Sequence, residues 1–132
     1  MLSEKELKWL QGWFAISDDG LKPLEEAYIK GETDNLYSLT QEYYRRNKVS
    51  EIRLYRWETG KRNNKKLTSW SHNKFEAESY KTLRGEGKLL EKVVPVKDIL
   101  FTTDIDYVEE WDIYWDELLG MYPMEECILK GV

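Results

Sequence analysis

Three short segments of the sequence carry side chains that could bind an anionic ligand and act on it. In the first, the guanidinium of Arg56 presents a rigid fork of donors that suits phosphate or ribose oxygens. The second has two hydroxyls, Ser69 and Ser71, and the third has the carboxylate of Glu126 directly before an apolar run. A carboxylate can stabilise positive charge that develops on a sugar. These residue types could together bind an anionic ligand and stabilise a positive charge, provided that the fold brings them together.

The order and spacing of these segments, residues 54–56, 69–71 and 125–129, resemble the ADP-ribosyltransferase family. This toxin-like, NAD-binding fold is shared by toxins and by small enzymes of phages and mobile elements. In that family an arginine ends the first core strand, a Ser-x-Ser begins the second, a glutamate opens a late strand, and all three face one NAD cleft. The resemblance covers about residues 51–132, including the strand, proline and strand pattern of residues 89–101.

The resemblance implies that the protein transfers ADP-ribose from NAD, its substrate, to a host protein or nucleic acid. Transfer breaks the bond between ribose and nicotinamide through a transition state that resembles an oxocarbenium ion. The implied catalytic residues are Glu126, Arg56 and Ser69. The implied NAD-binding residues are Arg56, Ser69, Trp70, Ser71 and Tyr80, and no metal ligand is implied. The rings of Trp70 or Tyr80 would lie flat beside the nicotinamide, and the hydroxyl of Ser69 would support the strands or the glutamate.

Two positions depart from the family pattern. Trp57 stands where relatives often have a glycine after the arginine, and Met124 stands where many have the first acid of a Glu-x-Glu motif that ends here at Glu126. In the family that first position helps to choose the acceptor, notably arginine side chains. The resemblance therefore does not support arginine as the modified residue, and a protein side chain, a nucleic-acid base or water stays open as the acceptor.

Each candidate residue also has a purely structural interpretation. Arg56 could be a surface strand residue in an ion pair worth about 0 to 1 kcal/mol, and its rival Arg53 falls on the opposite face of the strand. The two serines could be ordinary turn hydroxyls, and Glu126 could be one more solvated acid. A second acidic element, Glu109 and Glu110, is a weaker candidate for the catalytic carboxylate.

Helical periodicity dominates the first 47 residues. Apolar residues recur at i, i+3 and i+7 in three trios, which predict three amphipathic helices: Leu7, Leu10 and Phe14; Leu21, Leu24 and Tyr28; Leu36, Leu39 and Tyr43. Ser3 and Glu6 have the spacing of a capping box. Residues 17–20 predict a turn after the first helix, Gly31 predicts the end of the second, and Thr33 with Asp34 predicts a cap on the third.

Extended segments follow. Strands are predicted at 51–57, 67–71, 88–94, 99–102 and 125–129, with a basic loop at 60–66, a helix at 74–84 and a turn at 85–87. Residues 106–120 are either helical or irregular. The order of these elements predicts a single α+β domain over residues 1–132, in which a helical front segment (1–47) packs on a strand-rich NAD-cleft core (51–132). The resemblance implies a small, split, mixed β-sheet for that core.

Composition excludes several classes of protein. The chain has 132 residues, 41% of them hydrophobic and 34% charged, which is typical of a soluble globular protein. No apolar run could cross a membrane, so a cytoplasmic protein is expected. The single cysteine and single histidine argue against disulfides and Cys/His zinc sites. The net charge is −9 for residues 98–132 and +4 for the rest, which argues against general DNA binding.

Two non-enzymatic hypotheses remain. The fold could act as an inhibitor or adaptor that binds a protein partner through tryptophans such as Trp9, Trp13, Trp111 and Trp115, or through its acidic surface. Alternatively, the acids of residues 98–126 could imitate the phosphates of a nucleic acid. Neither His72, expected in a loop, nor Cys127, expected in the core, is predicted to be catalytic.

Overall fold

The computed structural model describes residues 2–14, 18–59, 66–105, 107–108, 113–114 and 125–131. The helices are α1 (Glu4–Phe14), α2 (Asp18–Ile29), α3 (Asp34–Arg46), α4 (Lys74–Ser79) and α5 (Lys81–Arg84), with a 3-10 turn at Val96–Asp98. The strands are β1 (Glu51–Glu58), β2 (Leu67–Ser71), β3 (Lys88–Pro95), β4 (Ile99–Thr102), β5 (Tyr107–Val108), β6 (Ile113–Tyr114) and β7 (Glu126–Lys130). The α+β prediction is confirmed. None of the helices in these ranges is both long and apolar enough to span a membrane.

The three predicted N-terminal helices are present, and the capping box of α1 forms as expected. The backbone N–H of Glu6 donates to Ser3 Oγ (3.1 Å), and the N–H of Ser3 donates to Glu6 Oε1 (2.9 Å). The turn predicted at 17–20 is wrong for its described part, because α2 already begins at Asp18. Thr33 occupies the cap position of α3 but makes no side-chain capping bond. Gly31 follows two residues after the end of α2, and its φ of +74° favours glycine at that turn.

We expect Ser3→Ala to lower the free energy of unfolding by about 1 kcal/mol. The substitution removes the acceptor for the N–H of Glu6 at the first turn of α1, where the helix supplies none. Urea unfolding measures the effect, and Ser50→Ala, at an exposed serine outside the helices, is the control. Equal stabilities of Ser3→Ala and the native chain would contradict the structural importance of this cap.

Strands β1–β4 and β7 form one sheet in the order β3-β1-β2-β7-β4, and every adjacent pair is antiparallel. The expectation of a mixed sheet is therefore wrong for the described strands. Strands β2, β3 and β4 run in the same direction, but β1 and β7 lie between them in the sheet, so no parallel pair forms among the described strands. Residues 106–120 were expected to be helical or irregular, but their described parts, β5 and β6, pair as a separate two-stranded antiparallel ribbon.

Both faces of the five-stranded sheet are covered. Side chains alternate along β7, so Ile128 packs on one face and Cys127 and Leu129 pack on the other. On the first face Ile128 contacts the core of α1 and α2, which includes Leu10 and Leu24. The core of the second face contains Tyr44 of α3. Glu126 lies two residues before Ile128, so its side chain belongs to the first face.

The helix predicted over 74–84 is present but divided into α4 and α5 at Tyr80. The backbone N–H of Tyr80 bonds back to Ala77 O, a tighter spacing than that of an α-helix. The side chain of Asn73 caps α4 by accepting from the N–H of Glu76 (3.2 Å). These two short helices cover the part of the first sheet face where Glu126 lies, and they form one wall of the site described next.

Candidate functional site

Strands β1 and β2 separate just where the candidate residues lie. Tyr55 and Ser71 are their only paired positions among the described residues. Beyond that pair, Arg56 Nη1 donates to the backbone carbonyl of Ser69 (2.8 Å), and Arg56 Nε donates to Glu58 (3.0 Å). The guanidinium thus donates a hydrogen bond to a carbonyl that, in a longer β-ladder, would accept one from a backbone N–H of β1. The arginine at the end of the first strand therefore lines a gap in the sheet.

The register between β2 and β7 brings the second and third segments together. Ser71 lies opposite Glu126, and Ser69 lies opposite Ile128. Directly opposed residues of antiparallel strands have side chains on the same face. The Ser-x-Ser segment and the glutamate are thus neighbours, although more than 50 residues separate them in the sequence.

Helices α4 and α5 supply the other wall with three residues at i, i+3 and i+7: Ala77, Tyr80 and Arg84. The hydroxyl of Tyr80 donates to Glu126 Oε1 at 2.8 Å. The guanidinium of Arg84 lies over the ring of Tyr80, 4.9 Å from its centroid, and donates to the carbonyl of Trp57 (3.0 Å). In return Trp57 Nε1 donates to the carbonyl of Gly85 (2.9 Å), so α5 is attached to β1 at two points.

Together these elements enclose a cleft of about 250 Å³, counting the space open to solvent. It is lined by Tyr55, Arg56, Trp57, Ser69, Trp70, Ser71, Ala77, Tyr80, Arg84 and Glu126. All five residues predicted to bind NAD and the predicted catalytic glutamate contribute to this lining. Two guanidinium groups, one carboxylate and several aromatic rings therefore share one small cleft.

Glu126 is the carboxyl group with the most unusual environment. Only 5% of the residue is exposed, and this burial raises the pKa of its carboxyl group to about 7. The nearby carboxylate of Glu76 also raises the pKa, whereas the hydrogen bond from Tyr80 and the charges of Arg84 and Arg56 lower it. Burial disfavours the charged form because the group loses its hydration. Glu126 therefore changes its charge near neutral pH, as a general base or charge stabiliser often does.

The other groups of the cleft are perturbed by the same surroundings. Burial and the charge of Glu126 raise the pKa of Tyr80, so its hydroxyl remains a hydrogen-bond donor at neutral pH. Burial also raises the pKa of Glu76, with a further contribution from Glu125. Partial burial and the charge of Arg56 lower the pKa of Arg84. In and beside the cleft, the carboxylates of Glu126 and Glu76 therefore repel each other, and so do the guanidinium groups of Arg56 and Arg84.

The hydroxyls of both serines bond to groups of the protein itself. Ser69 Oγ accepts a hydrogen bond from Trp13 Nε1 of α1 (2.8 Å) and faces Ile128, so its described bonds support the packing of a helix and not the glutamate. Ser71 Oγ donates to the carbonyl of Glu125 (2.9 Å) at the start of β7. The hydroxyl that holds Glu126 belongs to Tyr80, which was expected to lie beside the nicotinamide with its ring.

Trp70 contributes to the wall of the cleft, but its indole alternates away from the two serines. It packs in the second core with Leu54 and Leu129, and only 8% of the residue is exposed. This burial favours a structural role for the ring over the expected contact with nicotinamide. Arg53, the rival of Arg56, is exposed, pairs with Glu91 (3.0 Å) and does not line the cleft.

Arg84, which lines the cleft, and Trp13, which bonds to Ser69, were not among the site residues predicted from the sequence. Arg84 could have been found, because it lies four positions after Tyr80 in a predicted helix, and residues at i and i+4 share a face. Trp13 could not, because nothing in its local sequence links α1 to Ser69. That contact depends on how α1 packs against β2.

The remaining candidates have structural environments. His72 follows β2 and pairs with Asp104 (2.7 Å), which raises the pKa of the imidazole. Cys127 is fully buried, as predicted, and burial raises the pKa of its thiol to about 11. Within the described ranges no three His, Cys, Asp or Glu side chains are grouped to hold a metal ion. The second acidic element, Glu109 and Glu110, lies outside the described residues, as does Met124.

The surfaces suggested for a protein partner are only partly described. Trp9 and Trp13 are buried in the first core and are therefore not part of an exposed tryptophan surface, while Trp111 and Trp115 lie outside the described residues. Of the ten acids in residues 98–132, four are described, and none of them is exposed: Asp98, Asp104, Glu125 and Glu126. Comparison of this chain with protein-family models, curated proteins and solved structures found no match.

Proposed function

We propose that the protein is an NAD-dependent ADP-ribosyltransferase, encoded by a phage or mobile element, that acts in the cytoplasm on a host macromolecule. The observation that supports this most is the position of Glu126. Its carboxyl group is buried opposite Ser71, is held by the hydroxyl of Tyr80, and shares a cleft with Arg56 and Arg84. The three motifs of the family resemblance thus converge, although the sequence separates them widely.

The reaction requires a carboxylate in such a place. The bond between ribose and nicotinamide breaks, and nicotinamide leaves with the bonding electrons. The acceptor then bonds to the same sugar carbon and loses a proton. Ionised Glu126 would stabilise the positive charge on the sugar, and a carboxylate with a pKa of about 7 also suits the uptake of the acceptor's proton.

The residues of the cleft suit NAD in kind, since guanidinium groups bind phosphates and aromatic rings bind flat heterocycles. The cleft is small and open to solvent, so only part of a dinucleotide would enter it, and the remainder would lie across its mouth. Arg56, whose side chain is 17% exposed, would bind the enclosed part.

We expect Arg56→Ala to weaken NAD binding by about 10- to 100-fold, because hydrogen bonds to charged groups contribute roughly 1.5 to 3 kcal/mol. Ligand-observed NMR detects this without knowledge of the acceptor. Arg53→Ala is the matched control, since it removes the same charge from an exposed position of the same strand, outside the cleft lining. If both variants bind NAD as the native chain does, Arg56 has no role in NAD binding. If the folded native chain itself binds no NAD, the proposed function is contradicted.

A second function, a non-catalytic inhibitor or adaptor, is favoured by exposed apolar residues on the helical wall of the cleft. Phe75 of α4 is 80% exposed and Leu83 of α5 is 67% exposed. Large exposed apolar side chains often mark contacts with a partner protein. This alternative predicts a stable stoichiometric complex that survives Glu126→Gln. Loss of the biological effect in that variant, with the complex intact, would contradict it.

The nucleic-acid mimic has the least support, because none of the four described acids in its segment is exposed. Such a mimic would bind a nuclease or repressor tightly and would lose affinity steeply as salt rises. Salt-insensitive binding would exclude it.

A further inference from the structure

Two arginines that are 28 positions apart in the sequence line the same cleft from opposite walls. Arg56 projects from β1, and Arg84 projects from the end of α5. Each guanidinium is held by a backbone carbonyl: Arg56 by Ser69 O at 2.8 Å and Arg84 by Trp57 O at 3.0 Å. Stacking on Tyr80 fixes the plane of Arg84 further. Both groups are therefore oriented before any ligand arrives.

The charges of these arginines are incompletely balanced. Glu58 pairs with Arg56, whereas no carboxylate of the described residues forms an ion pair with Arg84. Glu126 is the acid that lines the cleft, and burial raises its pKa to about 7, which disfavours its charged form. Burial lowers the pKa of Arg84 and the charge of Arg56 lowers it further, although Tyr80, Glu58 and Glu126 partly offset this effect. An anion bound by both groups would relieve this repulsion.

We infer that Arg84 and Arg56 together bind a diphosphate group at the mouth of the cleft, with Arg84 as a binding residue that the family resemblance does not include. Two oriented guanidinium forks match the oxygens of phosphate groups better than point charges do. This inference rests on the proposed function for the source of the diphosphate, which is NAD. The diphosphate of NAD is bonded directly to the ribose, so binding it beside Tyr80 brings the sugar towards the carboxyl group that Tyr80 holds.

The probe is inorganic pyrophosphate, which is titrated into the labelled protein at low salt while its binding is measured by NMR. We expect Arg84→Gln to weaken pyrophosphate binding about tenfold, as the loss of one charge-assisted contact at a partly exposed site predicts. Glutamine keeps an N–H donor for the carbonyl of Trp57. Arg84→Lys, which keeps the charge without the fork, should restore part of the affinity.

Arg53→Gln is the control for overall charge, because it makes the same substitution at an exposed site outside the cleft. Nicotinamide is the control for the ligand, and Arg84→Gln should leave its binding unchanged. The inference is overturned if the native chain binds no pyrophosphate at millimolar concentration, if Arg84→Gln binds it normally, or if Arg53→Gln weakens it equally.

This outcome is separable from that of the proposed function. Pyrophosphate binding that depends on Arg84, in a native chain that does not cleave NAD, would support the anion site and contradict the transferase. Conversely, NAD cleavage with an unchanged KM in Arg84→Gln would support the transferase and overturn the role of Arg84. Inorganic phosphate bound as tightly as pyrophosphate would show a site for a single phosphate and would likewise overturn the diphosphate assignment.

Discussion

Replacing Glu126 by glutamine is expected to lower the rate of NAD cleavage by about 100- to 1,000-fold, the usual effect of removing one preorganised electrostatic contact from a transition state. Glutamine has nearly the same shape and keeps an oxygen that can accept the hydrogen bond from Tyr80. It cannot carry the negative charge that an oxocarbenium-like sugar needs. The loss should therefore appear in kcat, with NAD affinity changed only slightly.

Release of nicotinamide from NAD measures this effect, because it requires no known acceptor. Glu125→Gln is the matched control: it neutralises the preceding residue, whose backbone carbonyl, and not its carboxylate, is bonded to Ser71. We expect nearly native cleavage by that variant. Retained cleavage in Glu126→Gln would show that another group is the catalytic carboxylate. Equal loss in both variants would point to a general effect of charge at the start of β7.

Glu126→Gln is also expected to change how stability depends on pH. In the folded protein Glu126 has a pKa of about 7, against an ordinary value of 4.5. Between these values the folded state binds more protons than the unfolded state, so this residue makes the protein less stable as pH rises from about 4.5 to 7. The raised pKa contributes about 3 kcal/mol to the free energy of unfolding at low pH, and this contribution is lost above pH 7.

Urea unfolding of the native chain and of Glu126→Gln at several values between pH 5 and 8 tests this linkage. Because glutamine does not titrate, the variant should gain stability relative to the native chain as pH rises, by about 3 kcal/mol over the range. The raised pKa values of His72 and Glu76 contribute in the same direction, but they affect both proteins and largely cancel in the difference. A difference in stability that does not vary with pH would contradict the buried environment of Glu126.

These two results together would show a residue that costs stability and supports activity. Buried charges at functional sites often have this character, since the strain they impose on the fold is retained for chemistry. A variant that is more stable above pH 7 but inactive would fit the transferase. A variant that is more stable and still fully effective in the cell would instead favour the adaptor hypothesis.

Local sequence determined most of the secondary structure. The apolar trios of residues 7–43 place α1, α2 and α3 correctly because the helical period of 3.6 aligns them on one face. The alternation in 51–57 and the short extended segments at 67–71, 99–102 and 125–129 likewise predict β1, β2, β4 and β7. The family resemblance directed attention to Arg56, Ser71 and Glu126, which the structure brings into one cleft.

Tertiary structure decided what these residues do there. The register of β2 with β7 and the packing of α4 and α5 determine that Tyr80 bonds to Glu126 and that Arg84 lines the cleft. The packing of α1 determines that Ser69 accepts a hydrogen bond from Trp13. The raised pKa of Glu126 has the same origin. It results from burial by elements distant in the sequence, and the spacing of residues along the chain carries no information about desolvation.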